Sequence, residues 1–512
     1  MSQKIVLQMP VNRVEGDLDL KVEVADKRVA NAWCSGTMFR GFEQILAGRG
    51  ALDGLVITPR VCGICGTAHL TAASRALDAI ASVEVPDNGV RLRNVALMIE
   101  HIQSDVRHGF LMFMADFANS AYRKHQLYEE AVRRYEPFRG QAVIETVRET
   151  KNVLEIVAIL GGQWPHSSYM VPGGVVSVPG QSDLLQCLHL LRRYRRWYEA
   201  RVLGCEIACW NAIKNASDLK VWLMEKEEHR ESEIGFFLRF AEKAGLDSAG
   251  KGHGNFISFG SFDLPRQTQV KPGSAGDNQL VPAGFARGTT VEAFDAEKID
   301  EHVSHSWFRD LGEARHPFDG ETQPYASGSE GKKYSWAKAP RYDGVPAETG
   351  PLAEAVIAGR PLFTDLVTKS GPNVLIRELA RLTRPAVLLE AVEIWLREML
   401  AGDGDFYSPP REIAEGVGAG LTQAARGALG HWVKIEDRKI VHYQIITPTA
   451  WHASPRDDRG VRGVMEEALV GTPVLDDQNP VEIGHVIRSF DACLVCTVHS
   501  LQKRGISAQI RV

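Results

Sequence analysis

The spacing of apolar residues predicts a mainly α protein with an α+β periphery: a central bundle of long helices, an N-terminal β-sheet and a strand-rich insertion. Three observations lead there. Segments 71–82, 90–116, 141–160 and 183–227 repeat apolar residues every three or four positions and contain few internal Pro or Gly. Near the start, Leu18, Leu20, Val22 and Val24 alternate with polar residues, as a half-buried strand requires. Between 252 and 350 the texture changes to Gly, Pro, Ser and aromatic residues with turn signals such as Lys271-Pro272-Gly273 and Pro282-Ala283-Gly284.

In chain order, 1–60 is a strand region and 61–250 carries the first cysteine pair and the long helices. The run 181–228 is long for one globular helix, which places it in a bundle. The insertion occupies 251–350. Over 351–499 helical spacing returns, weakens after Gly416, and gives two short strands around Glu436-Asp437 before the second cysteine pair; 500–512 is a tail. No fixed period is visible, so a solenoid is not supported.

Composition narrows the function. With 44% hydrophobic and 24% charged residues the chain is globular, and at a net charge of −5 it has no overall field to draw nucleic acid. No apolar run is long enough to span a bilayer, and the first fifteen residues lack a signal core, so no membrane span and no export signal are expected.

The eight cysteines are too few for a disulfide scaffold, yet four of them form two Cys-x-x-Cys pairs at opposite ends: Cys62 with Cys65, and Cys493 with Cys496. Either pair alone reads equally as a metal or redox site or as no site. A zinc ribbon separates its pairs by a short loop, whereas here nearly the whole chain intervenes. That arrangement reads as a buried cofactor site around which the protein is built.

Around these pairs stand Arg60-Val61-Cys62-Gly63-Ile64-Cys65-Gly66-Thr67-Ala68-His69 and Asp491-Ala492-Cys493-Leu494-Val495-Cys496-Thr497-Val498-His499. Upstream are Arg13-Val14-Glu15-Gly16 and Met38-Phe39-Arg40-Gly41-Phe42-Glu43. Further on come Lys338 to Gly344, Gly350-Pro351-Leu352, Ala425 to Trp432 and Thr447 to Trp451. In this order, over essentially the full chain, they resemble the large, catalytic subunit of nickel-iron hydrogenases.

The resemblance implies that subunit's fold and a nickel-iron centre. Nickel would be held by Cys62, Cys65, Cys493 and Cys496, with Cys65 and Cys496 bridging to an iron that carries carbonyl and cyanide ligands. Thiolates suit such a soft, redox-active metal. Dihydrogen would be split heterolytically and reversibly, in the uptake direction, with a terminal thiolate, Cys493, taking the proton. Glu15 matches the proton-relay glutamate; without the motif it reads as a solvated strand-end acid. Arg426 matches the guanidinium over the open metal position; otherwise it reads as a surface salt bridge. Glu43, the carbonyl of Ile445 and His499 match ligands of a magnesium ion. His69 is either a donor to the Cys65 sulfur or a satisfied core histidine. Cys34 has no assigned role, and Cys187, Cys205 and Cys209 read as buried small residues on helix faces.

The chain departs from the family pattern at Ala492 and Ala425, where the family has proline, so the arginine loop is expected to be less rigid. Segment 103–108 looks like the cytoplasmic uptake and hydrogen-sensing branch, which places the protein in the cytoplasm or on the cytoplasmic membrane face. Thirteen residues follow His499, where a maturation endopeptidase cuts in this family after nickel-insertion factors have acted. Because an iron-sulfur cluster takes about four thiolates, electrons must pass to an iron-sulfur small subunit. Three other readings compete: a hydrogen-sensing subunit with slow turnover, the related quinone-reducing subunit of respiratory complex I, and a zinc-stabilised structural protein. The four cysteines argue against the complex I subunit, which has lost them.

Overall fold

The computed structural model describes residues 5–274, 277–310, 312–327 and 331–497, with the side chains of Cys496 and Thr497 excepted. Strands Ile5–Pro10, Leu18–Ala25 and Arg28–Gly36 form an antiparallel sheet in that order. Leu18, Leu20, Val22 and Val24 all face the core, while Asp19, Lys21 and Glu23 do not. Asp26 and Lys27 adopt positive φ at the turn between the second and third strands, the twist a tight hairpin needs.

The helical bundle forms as the apolar spacing predicts, around helices Gly66–Ala81, Asp87–Arg107, Gln141–Gly161, Gln181–Trp197 and Pro385–Ala401. Helix Asp87–Arg107 is buried on almost every side although it carries several charged residues. A charge in that position has to be paired. Arg91 Nε meets Glu398 at 2.9 Å, Arg93 Nη1 meets Asp78 at 2.6 Å, and Asp105 accepts from Arg384 at 2.7 and 2.8 Å.

Two expected helices are interrupted. The 90–116 run ends as an α-helix at Arg107 and widens into a π turn over His108–Phe113. The 181–228 run stops at Gly204, whose φ is +71°, and continues as shorter helices. A Cβ on Gly204 would lie 2.3 Å from the Glu228 carbonyl oxygen, so the chain breaks there because the following segments fold back onto it.

The insertion forms the sheet Asn255–Asp263, Gln279–Arg287 and Thr290–Glu292. Beside it lies a sheet of Gly416–Ala424, Gly427–Glu436 and Lys439–Ile446. The last two strands match the expectation, and Gly416–Ala424 adds a third. Trp432, Trp451, Phe259 and Tyr342 belong to a second apolar core that these segments share. Along Gly416–Ala424 glycines alternate: a Cβ on Gly418 would sit 2.4 Å from the Ala76 oxygen, and one on Gly420 1.8 Å from that of Ala72. Helix Gly66–Ala81 therefore lies directly on this strand. That contact brings the helix's N-terminal cysteine loop close to the hairpin at Ala425-Arg426.

Candidate metal centre

Two turns carry the cysteines. Cys65 occupies the N-cap of helix Gly66–Ala81, and Cys62 accepts from the Ile64 N–H at 3.4 Å just before it. The other turn leaves helix Val481–Ser489, passes through Asp491 at φ +52°, and anchors the Cys493 N–H on the Thr449 hydroxyl at 2.9 Å. These turns meet: Cys62 Sγ and Cys493 Sγ are 3.6 Å apart across 431 residues of sequence, and both are buried. That separation is far beyond a disulfide bond of about 2.05 Å. It matches the ~3.8 Å between sulfurs that share one tetrahedral ion at metal–sulfur bonds of about 2.3 Å. Cys65 is buried in the same core. Cys496 follows on the short helix Leu494–Thr497. Its side chain and the whole of His499 lie outside the described residues, as does the tail 500–512.

Glu15 is brought to this turn by its backbone. Its N–H donates to the Ala492 carbonyl at 3.3 Å, and its carbonyl accepts from Leu494 at 2.6 Å and Val495 at 3.3 Å. Gly16 makes the approach possible, because at φ +85° a Cβ there would stand 2.8 Å from the Val495 nitrogen. Glu15 is half-buried. Burial raises its carboxyl above the usual range; the Cys62 and Asp491 charges add to this and the Arg426 cation opposes it.

Arg426 is 5% exposed, which excludes the surface salt bridge. Its Nε donates to the Asp491 carbonyl at 3.0 Å and its Nη2 pairs with Asp491 Oδ1 at 3.0 Å. Burial works against its charge, but Asp491 and the Cys493, Cys65 and Cys62 sulfurs outweigh that and hold it protonated. Nη1 is buried without a hydrogen-bond partner among the described residues. A buried, unsatisfied donor beside converging thiols fits a bound group with polar ligands at that position. A cavity of about 120 Å³, lined by Glu15, Ile64, His108, Arg426 and Asp491 among others, adjoins them.

At the arginine loop Arg384 Nη2 donates to the Ala425 carbonyl at 2.6 Å, while Asp105 and Glu354 hold Arg384. The Gly350-Pro351 segment packs against Gly427, where a Cβ would be 2.4 Å from the Gly350 nitrogen. Asp491, Asp105 and Arg384 thus position Arg426, and no local pattern in the sequence marks them for that task. Glu100 is a further such residue. Its two oxygens accept from the Thr67 and Ala68 N–H groups at 2.8 and 3.1 Å, fixing the turn that carries Cys65, and burial pushes its carboxyl up to about 7. His69 is buried and bonds through Nδ1 to His431 Nε2 at 3.0 Å; His431 in turn meets the Tyr443 hydroxyl at 2.9 Å. Burial lowers His69 to about 4 and keeps it neutral.

Glu43 and Ile445 are adjacent, with the Ile445 N–H donating to Glu43 Oε1 at 2.9 Å. Glu43 Oε2 accepts from the Thr322 hydroxyl and lies 3.6 Å from Lys338 Nζ. Of the other cysteines, Cys34 and Cys187 are buried, whereas Cys205 and Cys209 are partly exposed.

A family model described as nickel-dependent hydrogenase matches residues 40–126 and 238–499. The chain is 33% identical to the periplasmic [NiFeSe] hydrogenase large subunit of Desulfomicrobium baculatum, over 96% of this chain and 94% of that one. It is 28% identical to the uptake hydrogenase large subunit of Rhodobacter capsulatus, over 98% and 96%. The structure of the Ni-Fe-Se hydrogenase of Desulfovibrio vulgaris Hildenborough in the reduced state superposes with a TM-score of 0.81 at 31% identity, covering 98% of this chain and 100% of that one. Among the described residues no helix is long and apolar enough to cross a membrane.

Proposed function

Given that the chain belongs to the nickel-dependent hydrogenase family, as a hydrogenase large subunit, we propose that it oxidises dihydrogen to two protons and two electrons at a nickel-iron centre. The observation that supports this most is the meeting of Cys62 and Cys493 beside Glu15 and Arg426. Cys62, Cys65, Cys493 and Cys496 would hold nickel, and Cys65 and Cys496 would also hold an iron with carbonyl and cyanide ligands. When bound, this centre supplies the Lewis acidity and redox capacity that make dihydrogen acidic.

The chain's own residues handle the proton. Cys493 Sγ is the acceptor, and the Glu15 carboxyl, with its raised proton affinity, receives the proton next and releases it toward the adjoining cavity. Arg426 is held by Asp491 as a fixed cation facing the thiols, where it stabilises charge without reorganising. Burial of the turns keeps bulk water from the reacting atoms. Glu43, the Ile445 carbonyl and His499 would hold a magnesium ion.

Electrons would leave to an iron-sulfur small subunit, since of the four remaining cysteines Cys205 and Cys209 lie together but Cys34 stands in the N-terminal sheet and Cys187 in the bundle, short of the about four thiolates that one cluster takes. Nickel insertion and cleavage after His499 belong to the same reading. The test is hydrogen-dependent reduction of a viologen dye by the anaerobically purified heterodimer. Steady multiple turnover that Cys493→Ser abolishes supports uptake catalysis; turnover too slow to distinguish from that variant overturns it in favour of hydrogen sensing.

A further inference from the structure

We propose that Cys205, Cys209 and His229 form a separate metal site that takes a zinc ion. Their ligand atoms all lie within 4.8 Å of one another. The three come from the broken end of the long helical run: Cys205 follows Gly204, Cys209 sits one turn later on helix Ile207–Asn211, and His229 lies on helix Glu227–Glu231. The close approach of Gly204 to the Glu228 carbonyl, which ends the long helix, is also what gathers them.

His229 is set up as a ligand. It is 1% exposed, and its ring stacks on Trp222 at 4.9 Å and 13°. Its Nδ1 donates to the Trp222 carbonyl at 2.7 Å, which leaves the lone pair of the neutral ring on Nε2. An imidazole fixed by a backbone carbonyl through its other nitrogen is how metal-binding histidines are oriented. The Ser232 hydroxyl accepts from the Gly235 N–H at 3.0 Å and donates to the His229 carbonyl at 2.7 Å, which steadies the helix that carries it.

Two thiols and one imidazole are a borderline-soft donor set, which suits zinc and disfavours magnesium or calcium. Three protein ligands, two of them on partly exposed residues, leave a fourth position for water. Burial pushes the Cys205 thiol up to about 12, so a zinc ion that takes it as a thiolate displaces its proton. The bound ion would clamp the Ile207–Asn211 helix to the Glu227–Glu231 segment at the edge of the bundle.

The test is alkylation of the intact heterodimer by a maleimide, read peptide by peptide in mass spectrometry, with and without zinc. At about a hundred times the zinc Kd, modification of Cys205 and Cys209 should slow about a hundredfold. Cobalt loading should give thiolate-to-metal absorption that His229→Gln lacks, and the Cys62→Ser chain, altered only at the main centre, should keep both signals. Equal alkylation with and without zinc overturns the proposal, as does a Cys205–Cys209 disulfide in anaerobically purified protein.

Discussion

Replacing Glu15 by glutamine tests the proton route with little disturbance of the fold. The turn is docked by backbone bonds from the Glu15 N–H to Ala492 and from Leu494 and Val495 to the Glu15 carbonyl. Among the described residues none of these bonds uses the carboxyl, and Glu15→Gln keeps them all. What disappears is a group able to take and release a proton beside Cys493, and a positioned acid–base group contributes about 10²–10⁴ in rate. At about 1.36 kcal/mol per decade, this amounts to about 3–5 kcal/mol of barrier. The expected result is a kcat for hydrogen-dependent viologen reduction lowered about 10²–10⁴-fold, with the KM for dihydrogen unchanged, since the substitution leaves gas binding alone. Nickel content should equal that of the wild type. Thermal unfolding adds an independent sign. Because burial raises the folded Glu15 carboxyl, the native state holds its proton more tightly than the unfolded state, and wild-type stability declines as pH rises through that interval. The glutamine variant lacks this decline, so above it the variant should melt no lower than the wild type. A Glu15→Gln protein with full nickel and more than about a tenth of wild-type kcat would refute the relay.

Arg426→Lys should lower kcat about 10²–10³-fold, because a single ammonium cannot span the Asp491 carbonyl and carboxylate as Nε and Nη2 do; assay of nickel-replete protein decides it, and a rate near wild type contradicts the oriented-cation role. Gly16→Ala should destabilise the docked turn and lower nickel retention, since its Cβ must enter the space of the Val495 nitrogen at positive φ; metal analysis after gel filtration reads this. Glu466, pushed up to about 7 by burial, accepts from the Cys34 N–H at 3.0 Å and the Tyr334 hydroxyl at 2.7 Å. Its folded proton affinity is raised, so its contribution is present at low pH and is lost as pH rises toward 7. Urea unfolding of Glu466→Gln should lack that decline, and identical pH profiles would contradict it.

The bundle and the N-terminal sheet were legible because Leu18 to Val24 and the long helices bury one face at a fixed period. Strand Gly416–Ala424 was not, because Gly418 and Gly420 carry no side chain for a pattern to register; their purpose shows only when Ala72 and Ala76 lie against them. The break at Gly204 likewise depends on Glu228, far along the chain. At the centre, the cysteine pairs stood out by spacing, and Glu15 and Arg426 by their motifs. Asp491 stands in the second cysteine motif without a role, and Asp105, Arg384 and Glu100 did not stand out, since an acid or arginine that orients a neighbour looks like any other charge until its partner is in place. Cys205, Cys209 and His229 escaped for the same reason: the first two share a turn, but the third joins them only through the fold.

The central claim is that these thiols hold a nickel-iron centre with diatomic ligands, and infrared spectroscopy of the anaerobically purified, nickel-loaded heterodimer tests it most directly. Carbonyl and cyanide stretches should appear in the region where protein hardly absorbs and should shift when dihydrogen is admitted. Their absence from fully matured protein that contains nickel would contradict the account and leave the cysteines holding another group.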